Sequence, residues 1–343
     1  VTNGVQFFLP LTVENQNSIP FHTMIAAQYF RYGPPEVVEI KDIPIPVINA
    51  TEVLIKVHAT TVNRTDCGFR SAEYFIVRFF AGLFRPKNKT LGCEFAGEVE
   101  AIGSSVTTFH VGDKIFGFND QSWGGHAEYL KMPESAAMTL IPSGLTFAAA
   151  APIAEGAHYA LCDIRAAKIK AGDNVLVYGA TGAIGSAAIQ LLKHFGARVT
   201  AVCATPHIAL VRSLGADEVV DYQQQDYTQT EQRFDLVFDA VGKTSFGKCK
   251  PVLKPKGVYM STELGKNGQN IWLALTTPIF RGKKVMFPIP TTTQKDIVFL
   301  KDLVESGKFK PVLDRQYRLQ DIVEAYRYVE TGQKIGNVVI TVA

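Results

Sequence analysis

Ala180, Gly182 and Gly185 hold the three fixed places of a phosphate-cradling turn within VYGATGAIG at 177–185. With no side chain at 182 the backbone approaches a pyrophosphate, and with none at 185 the next helix packs closely on its strand. Unpaired N–H groups around Thr181, Gly182, Ala183 and Ile184 then face the anion. That chemistry is dinucleotide binding. A glycine pattern alone is weak, and an ordinary tight turn is its structural alternative. Here an apolar strand, Val175–Tyr178, leads in; an amphipathic run, Ala187–Phe195, follows; and Val199–Val202 supplies a return strand, which is the context the pattern requires.

The remainder of the chain must position that turn. With 343 residues, 47% hydrophobic and 20% charged, it has material for a large core and is long for one domain. A net charge of +3 from dispersed basic residues gives no footprint for nucleic acid. Cys67, Cys93, Cys162, Cys203 and Cys249 form no CxxC pair, as suits reduced thiols. No run of eighteen apolar residues is present, and the start lacks a basic leader, so a cytoplasmic protein without membrane insertion is expected.

Residues 1–23 show no periodicity and read as an extension. From Met24 to about Ile141, short alternating runs such as EVLIKVHATTVN and FAGEVEAIG, broken by Gly, Pro and Asp, predict a β-rich barrel-like domain. From about Ser143 to Phe287 strands alternate with helices (VLVYGA, RVTAVC, EVVDY, FDLVFDAVG, GVYMST), which predicts a doubly wound parallel sheet. The last segments, QKDIVFLKDLVESG, LQDIVEAYRYVETG and GNVVITV, fit neither pattern and are candidates to return to the first domain.

This order of parts resembles the medium-chain dehydrogenase/reductase family over roughly residues 24–343. Further matching stretches are GCEFAGEVEAIGSSVTTFHVGDKIFG (92–117), GGHAEY (124–129), SLGADEVVDY (213–222) and FDLVFDAVG (234–242). The resemblance is strongest to the zinc-free quinone oxidoreductase and enone reductase branch. It implies an α/β fold: a GroES-like β-rich catalytic domain from 24–147 and 290–343, and a Rossmann NADP-binding domain from 148–289.

Zinc members of that family hold their catalytic ion with Cys, His and Cys, which suit a borderline-soft cation. By resemblance those places fall on Asn63, Cys93 and the neighbourhood of Pro152, with only the accompanying Glu94 retained. Residues 94–161 contain no cysteine, so the family's structural zinc site has no ligands either. A residual set of Cys93, Glu94 and Asp66 is conceivable, but its spacing does not demand a metal. No metal is expected. Without a Lewis acid the easier reaction is hydride addition to a carbon that is already electrophilic, such as an enone β-carbon or a quinone ring.

The end of the second Rossmann strand reads Cys203, Ala204, Thr205, with no carboxylate to bind ribose hydroxyls and repel a 2′-phosphate. The resemblance adds His207 and Tyr222 as phosphate contacts, so NADPH is expected over NADH. A plain surface histidine is the alternative for His207. The resemblance also places Phe238, Ala240, Val241, Ser261 and Thr262 beside the cofactor. Gly336 and Asn337 fall where relatives carry a phosphate-reaching Gly-Lys, and Asn337 lacks that charge.

In NRTDCGFRSAEY the resemblance maps Asn63, Asp66 and Tyr74 to the nicotinamide and substrate side, Asn63 positioning an oxygen and Tyr74 donating a proton. The bland alternatives are a turn residue, a helix cap and a pocket wall, respectively. FIVRFFAGLFRPKNK (75–89) has three readings: a lip over an apolar pocket, a basic membrane-resting patch, or an interdomain packing helix.

The combined expectation is NADPH-dependent, zinc-independent reduction of quinones or α,β-unsaturated carbonyls, on a small apolar electrophile, by a homodimer. An alcohol dehydrogenase and a non-catalytic NADP-binding regulator are the rivals.

Overall fold

A computed structural model describes residues 23–342, and the expected 1–23 extension lies, apart from Thr23, outside them. Fifteen strands are described: β1 Thr23–Tyr29, β2 Val38–Pro44, β3 Glu52–Val62, β4 Glu94–Ile102, β5 Lys114–Phe118, β6 Tyr129–Pro133, β7 Met138–Leu140, β8 Asn174–Tyr178, β9 Arg198–Cys203, β10 Glu218–Asp221, β11 Phe234–Asp239, β12 Leu253–Ser261, β13 Lys284–Met286, β14 Leu313–Arg318 and β15 Asn337–Thr341.

The alternating residues of β3 bury every second side chain, Val53, Ile55 and Val57 among them, so one face packs inward. β3 is central in a sheet of order β14-β15-β3-β4-β5-β7, with β6 also paired to β3. The C-terminal strand therefore returns to the first half of the chain, β15 lying antiparallel to β3 with Val338 opposite Val62. β1 and β2 form a separate antiparallel pair.

Runs that are apolar on both faces, such as Val175–Val177, form the second sheet, whose order is β10-β9-β8-β11-β12-β13. Its pairs are all parallel, as a doubly wound fold requires. β8 lies at its centre, where the strand order reverses, and the glycine turn leaves β8 at its C-terminal end. The helix Glu155–Ala167 packs against the helix Ala183–His194 and joins the two sheets' cores into one apolar cluster. No helix among the described residues is long and apolar enough to cross a membrane.

Candidate functional site

Gly182 caps the helix Ala183–His194 with no side-chain hydrogen bond, and no acidic residue stands in the first turn, so the N–H groups there are open to an anion. A Cβ at Gly182 would meet nothing of the protein nearer than the Gly179 carbonyl at 3.7 Å; it would fill the cradle itself. Gly185 is different: a Cβ there would lie 2.1 Å from the Gly179 oxygen, so its glycine is needed for packing. Val241 covers the turn, its Cγ atoms 2.5 Å from where a Gly179 Cβ would be. Ala180 is buried and donates its N–H to the Val202 carbonyl at 3.2 Å. Thr181 accepts from the Gly336 N–H at 2.7 Å, so the C-terminal turn closes over the glycine turn. This cradle fits a dinucleotide pyrophosphate.

Thr205 begins a short 3₁₀ turn that ends at His207, and Tyr222, exposed, donates its N–H to the Cys203 carbonyl at 3.1 Å. The structure therefore brings these three together at the ends of β9 and β10. It also brings a carboxylate that the strand-end reading did not include: Asp221 pairs with Cys203 across the sheet. That carboxylate is buried and turned inward, accepting from the Thr205 hydroxyl and, at 2.9 Å, from the Gln223 N–H.

Ala240, Ser261 and Thr262 stand at the ends of β11 and β12, with the Thr262 N–H on the Asp239 carbonyl at 3.2 Å. Two expected contacts need correction. Phe238 is fully buried in the apolar core, so its side chain faces away from the crevice and Val241 takes the place beside the turn. Asn337 is buried too, its Nδ2 donating to the Val312 carbonyl at 3.0 Å, which ties it into the strand pair rather than toward phosphates.

Asn63 follows β3 and opens the helix Arg64–Ser71 in a reciprocal cap: its Oδ1 accepts from the Asp66 N–H at 3.0 Å, while Asp66 Oδ2 accepts from the Asn63 N–H at 2.9 Å. The other Asp66 oxygen accepts from the Gly92 N–H at 3.0 Å. Asp66 is fully buried and its two oxygens are engaged with backbone, so it positions Asn63 and the 92–93 strand entry instead of meeting a substrate. Burial pushes its carboxyl up to about 7 against those two N–H groups. Asn63 Nδ2 donates to Cys93 Sγ at 3.2 Å.

These donors' chemistry differs from that of a zinc site. A carboxamide and a buried thiol bonded to each other stand where zinc relatives place two ligands, and burial holds the Cys93 thiol well above its ordinary value, in its protonated form. Glu94 is turned to Thr61 Oγ1 at 2.6 Å and to the Glu155 N–H at 2.7 Å. Among the described residues, no group of three or more His, Cys, Asp or Glu converges as a metal site. The residues present do not fit zinc.

Tyr74 lies 41% exposed beyond the helix Arg64–Ser71; its phenol is raised by burial and by the nearby Glu263 charge. The next helix, Val77–Ala81, buries none of its residues, which removes the interdomain packing reading of this segment. Phe80 and Ala81 border a cavity of about 410 Å³ whose walls include Phe69, Leu91, Trp123, Tyr159 and Ile289. The lip reading matches that placement.

Sequence reasoning missed Tyr159 on this cavity's wall and a polar cluster of Thr65, Glu155 and Lys334. Glu155, at the start of its helix, accepts from the Thr65 hydroxyl at 2.9 Å; Tyr159, one turn on, lines the cavity; and Lys334 projects from the C-terminal turn with its Nζ on the Gly336 carbonyl at 2.6 Å. Burial raises the Glu155 carboxyl, offset by Lys334, and lowers Lys334, offset by Glu155. The available signal was an acid inside the otherwise apolar run AAAAPIAEGAHYAL at 148–161.

The alcohol dehydrogenase GroES-like domain matches residues 49–143 and the zinc-binding dehydrogenase domain matches residues 214–340. The chain belongs to the medium-chain dehydrogenase/reductase family. It is 32% identical to the 2-methylene-furan-3-one reductase of Solanum lycopersicum, over 94% of this chain and 80% of the relative. It is 31% identical to an NADPH-dependent alkenal/one oxidoreductase of Arabidopsis thaliana, with the same coverage of both. The solved quinone oxidoreductase of Coxiella burnetii superposes with a TM-score of 0.84 at 28% identity, covering 94% of this chain and all (100%) of that one.

Proposed function

We propose that this protein reduces quinones or α,β-unsaturated carbonyl compounds with NADPH and without a metal ion. The observation that carries the reading is the hydrogen-bonded Asn63–Cys93 pair, standing where the resemblance would place a Lewis acid's ligands, with Leu91, two residues before Cys93, on the wall of a cavity of mixed aromatic, aliphatic and polar lining. Relatives named as reductases of a methylene-furanone and of alkenals and alkenones support it. When bound, the reduced nicotinamide supplies the hydride. The glycine turn would hold its pyrophosphate, Thr205, His207 and Tyr222 its adenosine phosphate, and Val241, Ser261 and Thr262 its nicotinamide half.

In this reading Asn63 orients the substrate oxygen, exposed Tyr74 stands just before the phenylalanine lip, and that lip keeps water from the apolar acceptor. Conjugation spreads the charge that hydride addition creates, so no cation is required. The homodimer reading is supported by β13, the outermost strand of the parallel sheet, and by exposed Trp272, Leu275, Ile279 and Phe280 in the segment preceding it.

The experiment is NADPH oxidation against benzoquinones, alkenals, cyclic enones and saturated aldehydes, with NADP-dependent oxidation of simple alcohols alongside. Turnover confined to conjugated acceptors is the expected result. Turnover of alcohols and saturated aldehydes would favour the dehydrogenase rival, and tight NADPH binding without turnover of any acceptor the regulator.

A further inference from the structure

We propose that Tyr159 hands the proton to the reduced substrate and that Glu155 resupplies it through the Thr65 hydroxyl. This rests on the reductase reading above. Tyr159 lines the cavity and also faces the buried acid cluster: its phenol neighbours Thr65, Glu155 and Cys93, with Asp120 on the cavity side, whereas Tyr29, on the same wall, feels Asp66 alone of that cluster. Phe118 and His158 fix the ring, with centroids 6.5 Å and 5.4 Å away. Thr65 stands two residues beyond Asn63 and donates to Glu155 Oε1 at 2.9 Å, across 90 residues of sequence. Gly156 packs on Ala183, where a Cβ would lie 2.8 Å from the Ala183 carbonyl carbon, so the first turn of the Glu155 helix is set against the start of the helix that follows the glycine turn.

The step balances. Hydride bonds to the electron-poor carbon and the electron pair of the double bond moves to the conjugated oxygen. That oxygen takes the Tyr159 proton as the phenol O–H breaks. The phenolate then takes a proton from Thr65, whose hydroxyl rotates to accept one from the Glu155 carboxylic acid. Glu155 is left ionised beside Lys334 and regains a proton from water, so one hydride and one proton are added in all.

The electrostatics fit these roles. Burial keeps the Tyr159 phenol well above its ordinary value and therefore protonated until the oxyanion forms beside it. Burial also raises Glu155 into the range where it exchanges protons with neutral solution. The groups facing Glu155 are Cys93 and Glu94 at the start of β4, Asp66 and Thr65 from the helix Arg64–Ser71, Lys334 from the C-terminal turn and Tyr159 from its own helix. Tyr74 has no such partner; the charges acting on its phenol are those of Glu263, Glu73 and Arg64.

The test compares Tyr159→Phe, Thr65→Val, Thr65→Ser, Glu155→Gln, Asp120→Asn and Tyr74→Phe. Each is first checked for native circular dichroism and dinucleotide binding. With an enone whose hydride step is rate-limiting, as shown by a primary isotope effect from deuterated NADPH, Tyr159→Phe lowers kcat about 10²–10⁴-fold with KM little changed. Wild-type kcat falls as pH rises and Glu155 ionises. Glu155→Gln and Thr65→Val abolish that fall at a reduced rate, and Thr65→Ser restores it. A second measurement needs no turnover: p-nitrophenolate, a mimic of the anionic product, binds the NADP-loaded wild type at least tenfold tighter than Tyr159→Phe.

Tyr159→Phe with kcat and p-nitrophenolate affinity both unchanged overturns the proposal. So does an alkaline limb that survives in Glu155→Gln but disappears in Asp120→Asn or Tyr74→Phe. Failure of the wild type to reduce any conjugated acceptor counts against the reductase reading instead, and the p-nitrophenolate comparison still decides the role of Tyr159.

Discussion

Gly336 lies in register with Gly182 and donates its N–H to the Thr181 carbonyl at 2.7 Å, so the last turn of one sheet is hydrogen-bonded to the phosphate cradle of the other. Gly336 has a φ of +73°, and a Cβ there would lie 2.2 Å from the Val312 oxygen. Gly336→Ala is expected to cost about 1–3 kcal/mol through backbone strain alone. It should also weaken dinucleotide binding, because the turn withdraws from Thr181. Thermal melts with and without NADPH measure both effects.

Gly182 and Gly185 separate ligand space from packing space. Gly182→Ala should leave the melting temperature of the ligand-free protein nearly unchanged and reduce NADPH affinity at least tenfold, since the cradle is filled. Gly185→Ala should lower the melting temperature before any ligand is added, because its Cβ would meet the Gly179 backbone at 2.1 Å. Calorimetric titration together with melting distinguishes the two outcomes.

In the proposed NADPH reading, cofactor choice rests on the missing strand-end acid. Ala204→Asp places a carboxylate where a 2′-phosphate would lie and is expected to shift the NADPH-to-NADH ratio of kcat/KM by about tenfold or more toward NADH, a change of roughly 1.4 kcal/mol. An unchanged ratio would assign discrimination to other residues. His207→Ala should lower kcat/KM for NADPH while leaving that for NADH alone.

Asp163 provides a test in stability. Burial pushes its carboxyl from an ordinary 3.8 to about 8, so the folded state favours the protonated acid. Its contribution is therefore full below pH 3.8, declines as pH rises, and is lost once pH passes about 8. Asp163→Asn stays neutral throughout. Its melting temperature should match wild type near pH 4 and exceed it at pH 9, by the equivalent of about 1–3 kcal/mol. His126 works in the opposite direction: burial lowers it from 6.5 to about 4, so stability is lost as pH falls through that interval.

Much of the architecture was legible because its signals are local. The glycine turn is written in seven consecutive residues, 179–185, and the alternation in Glu52–Val62 shows one face of β3 directly. β14 escaped notice because most of Leu313–Arg318 is exposed, leaving no apolar alternation to read. Phe238 was placed toward the cofactor because a strand buried on both faces gives no parity from which to infer side-chain direction. Of the Thr65–Glu155–Lys334 cluster only Glu155 left a sequence signal, an acid within an apolar run, and its partners were not legible. Its members come from a helix start, a second helix start and a C-terminal turn, and only the return of β15 to β3 brings the last of these inward.

The central claim is hydride delivery to a conjugated carbon without a metal, and one measurement tests it most directly. The protein, treated with chelator and assayed for residual zinc, reduces an enone with NADPH deuterated on its transferring carbon, and the product is examined for the position of the label. The account predicts deuterium on the β-carbon, an intact carbonyl and a rate unchanged by chelation. Deuterium on the carbonyl carbon, or a rate recovered only when zinc is returned, would contradict it.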